Sequence, residues 1–121
     1  MALKISTTAS SSHHSFTHDD PEYWFLYPYF EAVHSETDLM IDLYDRADFE
    51  GGQLLELFLT LERAEDAVQK QPETWDVAVT ADPTPQMRAV RKCELLATIA
   101  KLKQMANDSH NDGAPLVCFG D

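Results

Sequence analysis

The sequence predicts an α+β fold: a small mixed or antiparallel sheet of three to four strands, with two amphipathic helices on one face and an aromatic-rich N-terminal cover. Three observations carry that expectation. Residues 51–71, GGQLLELFLTLERAEDAVQKQ, space Leu54, Leu57, Phe58, Leu61, Ala64 and Val68 along one helical arc. Leu95, Ile99, Leu102 and Ala106 repeat that spacing over 92–107. Between them, Trp75, Val77 and Val79 alternate with polar or small residues as a half-buried strand does. A chain of 121 residues is about one domain's worth.

In chain order, residues 1–20 are rich in Ser, Thr and His and read as a flexible N-terminal arm, leaving 21–121 as a single domain. Asp20-Pro21-Glu22 is a helix start, with a capping acid and Pro in the first turn. Six of the 12 aromatic residues follow between Tyr23 and Phe30. Pro28 is expected to break this helix after one turn, with an irregular or extended piece to Val33. The rings would then cover Leu55 and Leu59, which lie off the main arc of the central helix. In a binding protein, Tyr23, Trp24, Tyr27 and Tyr29 would be the aromatic anchors.

Residues 37–44 alternate and are read as a strand, although Ser35 with Asp38 also resembles a capping box. Asp45 to Asp48 then forms a short connection, with Asp48 as N-cap of the central helix. Pro72 ends that helix. After the strand at 75–80, the Pro-rich stretch 81–85 makes a turn and 87–91 returns as a short antiparallel strand. The second long helix ends near Asn107, and 108–113 is a polar loop. Residues 116–119, apolar without alternation, read as a strand buried on both faces.

Charge narrows the function. Nine Lys and Arg against 21 Asp and Glu give a formal −12. Residues 1–82 hold 17 acids and four bases, whereas 83–121 hold four acids and five bases. Such a field repels nucleic acid and anionic membrane and attracts basic partners. The aromatic run makes a poor platform for bases, because no Lys or Arg lies between Lys4 and Arg46. No stretch reaches the length of an apolar membrane span, and no export signal is visible, so the expected location is cytoplasmic. Cys93 and Cys118 are then read as buried free thiols.

The sequence carries no recognisable catalytic motif. The four glycines form neither GxGxxG nor a Walker loop, and no GxSxG elbow occurs. Glu31 and His34 have the spacing of a di-metal carboxylate site, but no second such pair exists. His13, His14 and His18 lack further fixed ligands. The expectation is a protein that is not an enzyme and carries no metal or cofactor.

Gln71-Pro72-Glu73-Thr74-Trp75-Asp76-Val77 and Leu116-Val117-Cys118-Phe119-Gly120-Asp121 resemble the C-terminal half of small bacterial proteins of unassigned activity. In size, acidity and lack of a catalytic signature the chain is similar to immunity proteins, which neutralise a cognate toxin. Those families share little sequence, so no residue role is carried over. Concentrated charge, the aromatic run and the missing catalytic residues lead to the expectation of an acidic inhibitor that binds a basic toxin or nuclease directly. Its aromatics would anchor, Asp38, Asp42, Asp45 and Asp48 would supply charge from the approach to the central helix, and Glu56, Glu62 and Asp66 from the helix itself. Two further expectations stand beside it. One is a phage anti-defence inhibitor using the same nucleic-acid mimicry. The other is an adaptor that forms a homodimer through Leu55, Leu59 and the aromatics.

Overall fold

A computed structural model describes residues 2–79 and 86–120, so the expected turn at 81–85 lies outside the described residues. The class is α+β, with three helices and two antiparallel sheets. In chain order the elements are β1 (Ala2–Thr7), β2 (His13–Thr17), α1 (Pro21–Thr37), β3 (Arg46–Phe49), α2 (Gly52–Gln69), β4 (Thr74–Val79), β5 (Gln86–Arg91), α3 (Lys92–Asp112) and β6 (Leu116–Gly120).

The first sheet has the order β2-β1-β6-β3, and all its pairings are antiparallel. The expected arm is therefore a hairpin instead. Leu3 and Ile5 of β1 and Phe16 of β2 are buried, and their period of two is a strand pattern set among polar residues. Low average hydrophobicity hid it, because only one face of the hairpin is apolar.

β2 carries one group that the interior does not satisfy. The His14 ring stands edge-on to Phe16 at 4.5 Å, and its Nε2 is shielded without a hydrogen-bond partner. Burial holds the imidazole below its ordinary pKa, with Lys101 and His13 adding to the effect. The unfolded chain then takes up a proton that the folded chain refuses. The stabilisation is present above about pH 6.5, the ordinary histidine value, and is lost as pH falls below it. Amide exchange in β2 should accelerate relative to β6 between about pH 7 and about pH 5, and His14→Phe should abolish that difference.

α1 does not stop at Pro28. It runs 17 residues from the Asp20 cap, whose carboxylate accepts the Glu22 N–H at 2.9 Å. Tyr23, Leu26, Phe30 and Val33 line its buried side at helical spacing. Pro28 is exposed, so the hydrogen bond it cannot donate is lost on the solvent side, where water can hydrate the freed carbonyl. Asp38 closes the helix in the left-handed region, φ 66°, with its N–H on the His34 carbonyl. Ser35 lies inside the helix and caps nothing.

Residues 38–45 form an irregular segment, not a strand, although Ile41 and Leu43 are buried as alternation predicts. Their backbone is engaged elsewhere. The Tyr23 hydroxyl donates to the Ile41 carbonyl at 3.1 Å, Asp42 Oδ1 accepts the Tyr44 N–H at 2.9 Å, and Gly120 N–H donates to the Asp45 carbonyl at 2.7 Å. The strand comes next, where a connection was expected: β3 pairs with β6, and Asp48 sits within it, not at a helix cap. α2 starts from Gly51 with no side-chain cap.

α2 lies against α3 and α1, and α3 carries Leu95, Ile99, Leu102, Met105 and Ala106 inward against α2, β1 and β6. α3 continues through the expected polar loop to Asp112, because Ser109 is buried and hydrogen bonded to Thr7 of β1. Gly113, at φ 66°, ends it. β4 and β5 pair antiparallel as expected, and their hairpin packs on α1 and α3. β6 departs from expectation: Leu116, Cys118 and Gly120 face inward, while Phe119 is 51% exposed. It is buried on one face only. Cys93, at the start of α3, is exposed, whereas Cys118 is buried and its thiol pKa is pushed up by desolvation.

Candidate functional site

The aromatic run splits across α1 because consecutive residues on a helix point about 100° apart. Tyr23 turns inward. It is 1% exposed and meets the rings of Phe16, Trp24, Tyr27 and Phe30. Burial, with Asp42 adding, drives its hydroxyl far above the ordinary tyrosine pKa. Tyr23 is therefore a core residue and is removed from the anchor set.

Trp24 is half-buried, its indole N–H donating to the His18 carbonyl at 2.8 Å. Tyr29 is half-buried against Phe25, which in turn meets Trp75 of the hairpin. None of these rings covers the central helix as expected, since Leu55 and Leu59 remain exposed. Tyr27 is the anchor whose surroundings are acidic. Its hydroxyl pKa is raised by partial burial first, then by the carboxylates of Glu31 and Asp42. Those two acids come from α1 and from the 38–45 segment, so the fold brings them to one place.

Most carboxylates along this stretch of chain lack counterions. Residues 31–50 contain seven acids and one base, Arg46. Arg46 is held by Asp48 through two hydrogen bonds, at 3.0 and 3.2 Å. Among the described residues, Glu31, Glu36, Asp38, Asp42, Asp45 and Glu50 form no ion pair. Tyr44, 59% exposed, stands beside Asp42 and Asp45 in the chain. Glu31 and Tyr44 were missed in the sequence, although the run of acids without bases from 31 to 45 was the signal for both.

The α2 acids form a separate group. Glu62 lies 4.0 Å from Lys103, which is nearer Glu65 at 3.3 Å, while Glu56 and Asp66 have no basic partner among the described residues. No hydrogen bond or ion pair among the described residues links these acids to those of 31–50.

The clefts among the described residues are open and lie outside the 31–50 stretch. An open groove of about 510 Å³ between the start of α1 and β5 is lined by Thr17, Asp19, Asp20, Pro21, Arg88 and Ala89, with Arg88 facing Asp19 at 3.9 Å. A second, of about 320 Å³ between α2 and α3, holds Phe58, Glu65 and Lys103. Among the described residues no His, Cys or Ser lines either one, and the hydroxyl in the first, Thr17, donates to Asp19 at 2.7 Å. Among the described residues no three His, Cys, Asp or Glu side chains converge as ligands, and no helix is long and apolar enough to cross a membrane. Comparison of the chain with protein-family models, with characterised proteins and with solved structures finds no match, so its function must be argued from this surface.

Proposed function

We propose that this chain is a non-enzymatic acidic binding protein that inhibits a basic protein partner, a toxin or nuclease, by direct contact, in the manner of an immunity protein. One observation carries the reading: residues 31–50 hold six carboxylates without ion pairs among the described residues, two of which, Glu31 and Asp42, meet at Tyr27, with the exposed Tyr44 next along the chain. Unpaired surface acids repel one another, and a basic partner relieves that repulsion as it binds. Tyrosines beside them supply the rigid amphipathic area that hot spots use. Trp24 packs against Tyr27 at 5.4 Å, Tyr29 offers a second ring on the Phe25 side of α1, and Glu56, Glu62 and Asp66 extend the field that steers encounter.

The test neutralises charge while keeping the fold's hydrogen bonds. Glu31→Gln, Asp42→Asn and Asp45→Asn retain their acceptor oxygens, so the segment's turns survive. The wild-type chain, used to capture proteins from its native host, should retain one strongly basic polypeptide. The triple variant should associate with it about tenfold or more slowly, with a flatter salt dependence. An unchanged rate, or a captured protein without excess positive charge, would defeat the proposal.

A further inference from the structure

α2 presents a stripe to solvent that nothing in the monomer covers. Leu55 and Leu59, one turn apart, are 49% and 46% exposed. At about 100° per residue, Glu62 and Asp66 continue that stripe toward the C-terminus. At the other end the helix begins at Gly51-Gly52 with no side-chain cap and no acid in its first turn, so the nearest carboxylate in the chain to the partial positive charge of its N-terminus is Glu50, one residue before the cap. A Cβ added at either glycine would meet nothing within 4 Å, which leaves room for a close approach there.

We propose that the chain forms a twofold homodimer by antiparallel pairing of α2 with α2 of a second copy. A twofold axis level with Leu57 sets Leu55 against Leu59 of the second copy, and the converse, in one closed apolar patch. Glu62 lies five residues beyond that axis, so it comes level with Gly52 of the second copy and offers its carboxylate to the uncapped helix start. Arg63, which makes no ion pair among the described residues, comes level with Gly51 of the second copy, beside Glu50. Charge selects this occupant. An anionic surface would be repelled by Glu62 and Asp66, and a basic foreign helix would meet Arg63 and Lys70 as well as the acids. A second copy uses both signs. The dimer does not depend on the inhibitor reading, because it needs no basic partner.

Sedimentation equilibrium of the full chain tests it, at low and at high salt. Two bodies of charge −12 repel at long range, so the dimer should tighten as salt rises, the opposite of capture by a basic partner. Leu55→Ser with Leu59→Ser should raise the dissociation constant at least about tenfold and leave the monomer folded, since both side chains are about half exposed and outside the core. Glu62→Lys should also weaken the dimer, whereas Glu73→Lys, the same change in net charge on an exposed residue outside α2, should leave it unchanged or tighten it. A monomer at millimolar concentration in both salts would overturn the proposal and leave the stripe to a foreign helix. So would a dimer indifferent to the leucines, or a Glu62→Lys variant that behaves like Glu73→Lys.

Discussion

Tyr23→Ala should destabilise the protein by about 3–5 kcal/mol, which is what removing a fully buried aromatic side chain costs. The ring sits where three separate pieces of the chain meet: Phe16 of the N-terminal hairpin, Phe30 further along α1, and the 38–45 segment through the Ile41 carbonyl. Truncation opens a cavity that the rigid sheet and helix on either side cannot collapse into. Tyr23→Phe separates the two contributions. It keeps the packing and strands the Ile41 carbonyl, at about 1–2 kcal/mol. Urea unfolding should resolve both, with the phenylalanine variant retaining partner binding at a temperature where it is folded. Loss of binding without loss of stability in Tyr23→Phe would return Tyr23 to the interface.

The contrast between Tyr23 and Tyr27 shows what the sequence could and could not carry. That the run at 23–30 was aromatic, and that Asp20 capped a helix before it, were both legible, because they are local chemistry. The division of the run into a buried side and an acid-facing side was not. It requires the helix to pass through Pro28, and the spacing Tyr23, Leu26, Phe30, Val33 argues for continuation only if Pro28 faces solvent. α2, α3 and the β4–β5 hairpin were readable because each shows many periods of one pattern. β1, β2 and β3 are short and face the core on one side only, so each offers two or three apolar residues as its whole signal. The burial of Ile41 and Leu43 was also legible in their alternation. What alternation cannot encode is whether the backbone between them pairs with a strand or is consumed by Tyr23, Asp42 and Gly120. The excess of acids over 31–50 was visible in the sequence, whereas the meeting of Glu31 with Asp42 at Tyr27 depends on the path of 38–45 and was not.

That path is pinned from the opposite end of the chain, and Gly120→Ala should disrupt it. Gly120 does not have a positive φ, so its requirement is space, not conformational freedom. A Cβ there would fall well inside 3.0 Å of the Leu43 and Asp42 backbones. Backbone atoms cannot rotate away, and Leu43 is itself buried, so either β6 or the segment must shift. Overpacking of this kind costs about 1–3 kcal/mol, and the Asp45 carbonyl also loses its 2.7 Å bond if Gly120 moves away. Gly113→Ala is the control. It has open space but φ 66°, so it should cost only the roughly 1–2 kcal/mol of a left-handed residue and leave 38–45 unmoved. Chemical shifts of the amides from Ile41 to Arg46 should change in Gly120→Ala and stay fixed in Gly113→Ala. Because Asp42 and Asp45 ride on this segment, the glycine that seats it also sets where two of the unpaired carboxylates stand. Gly120→Ala should therefore weaken capture of a basic partner by more than its loss of stability explains, and equal binding by the folded fraction would separate the acidic surface from the segment that carries it.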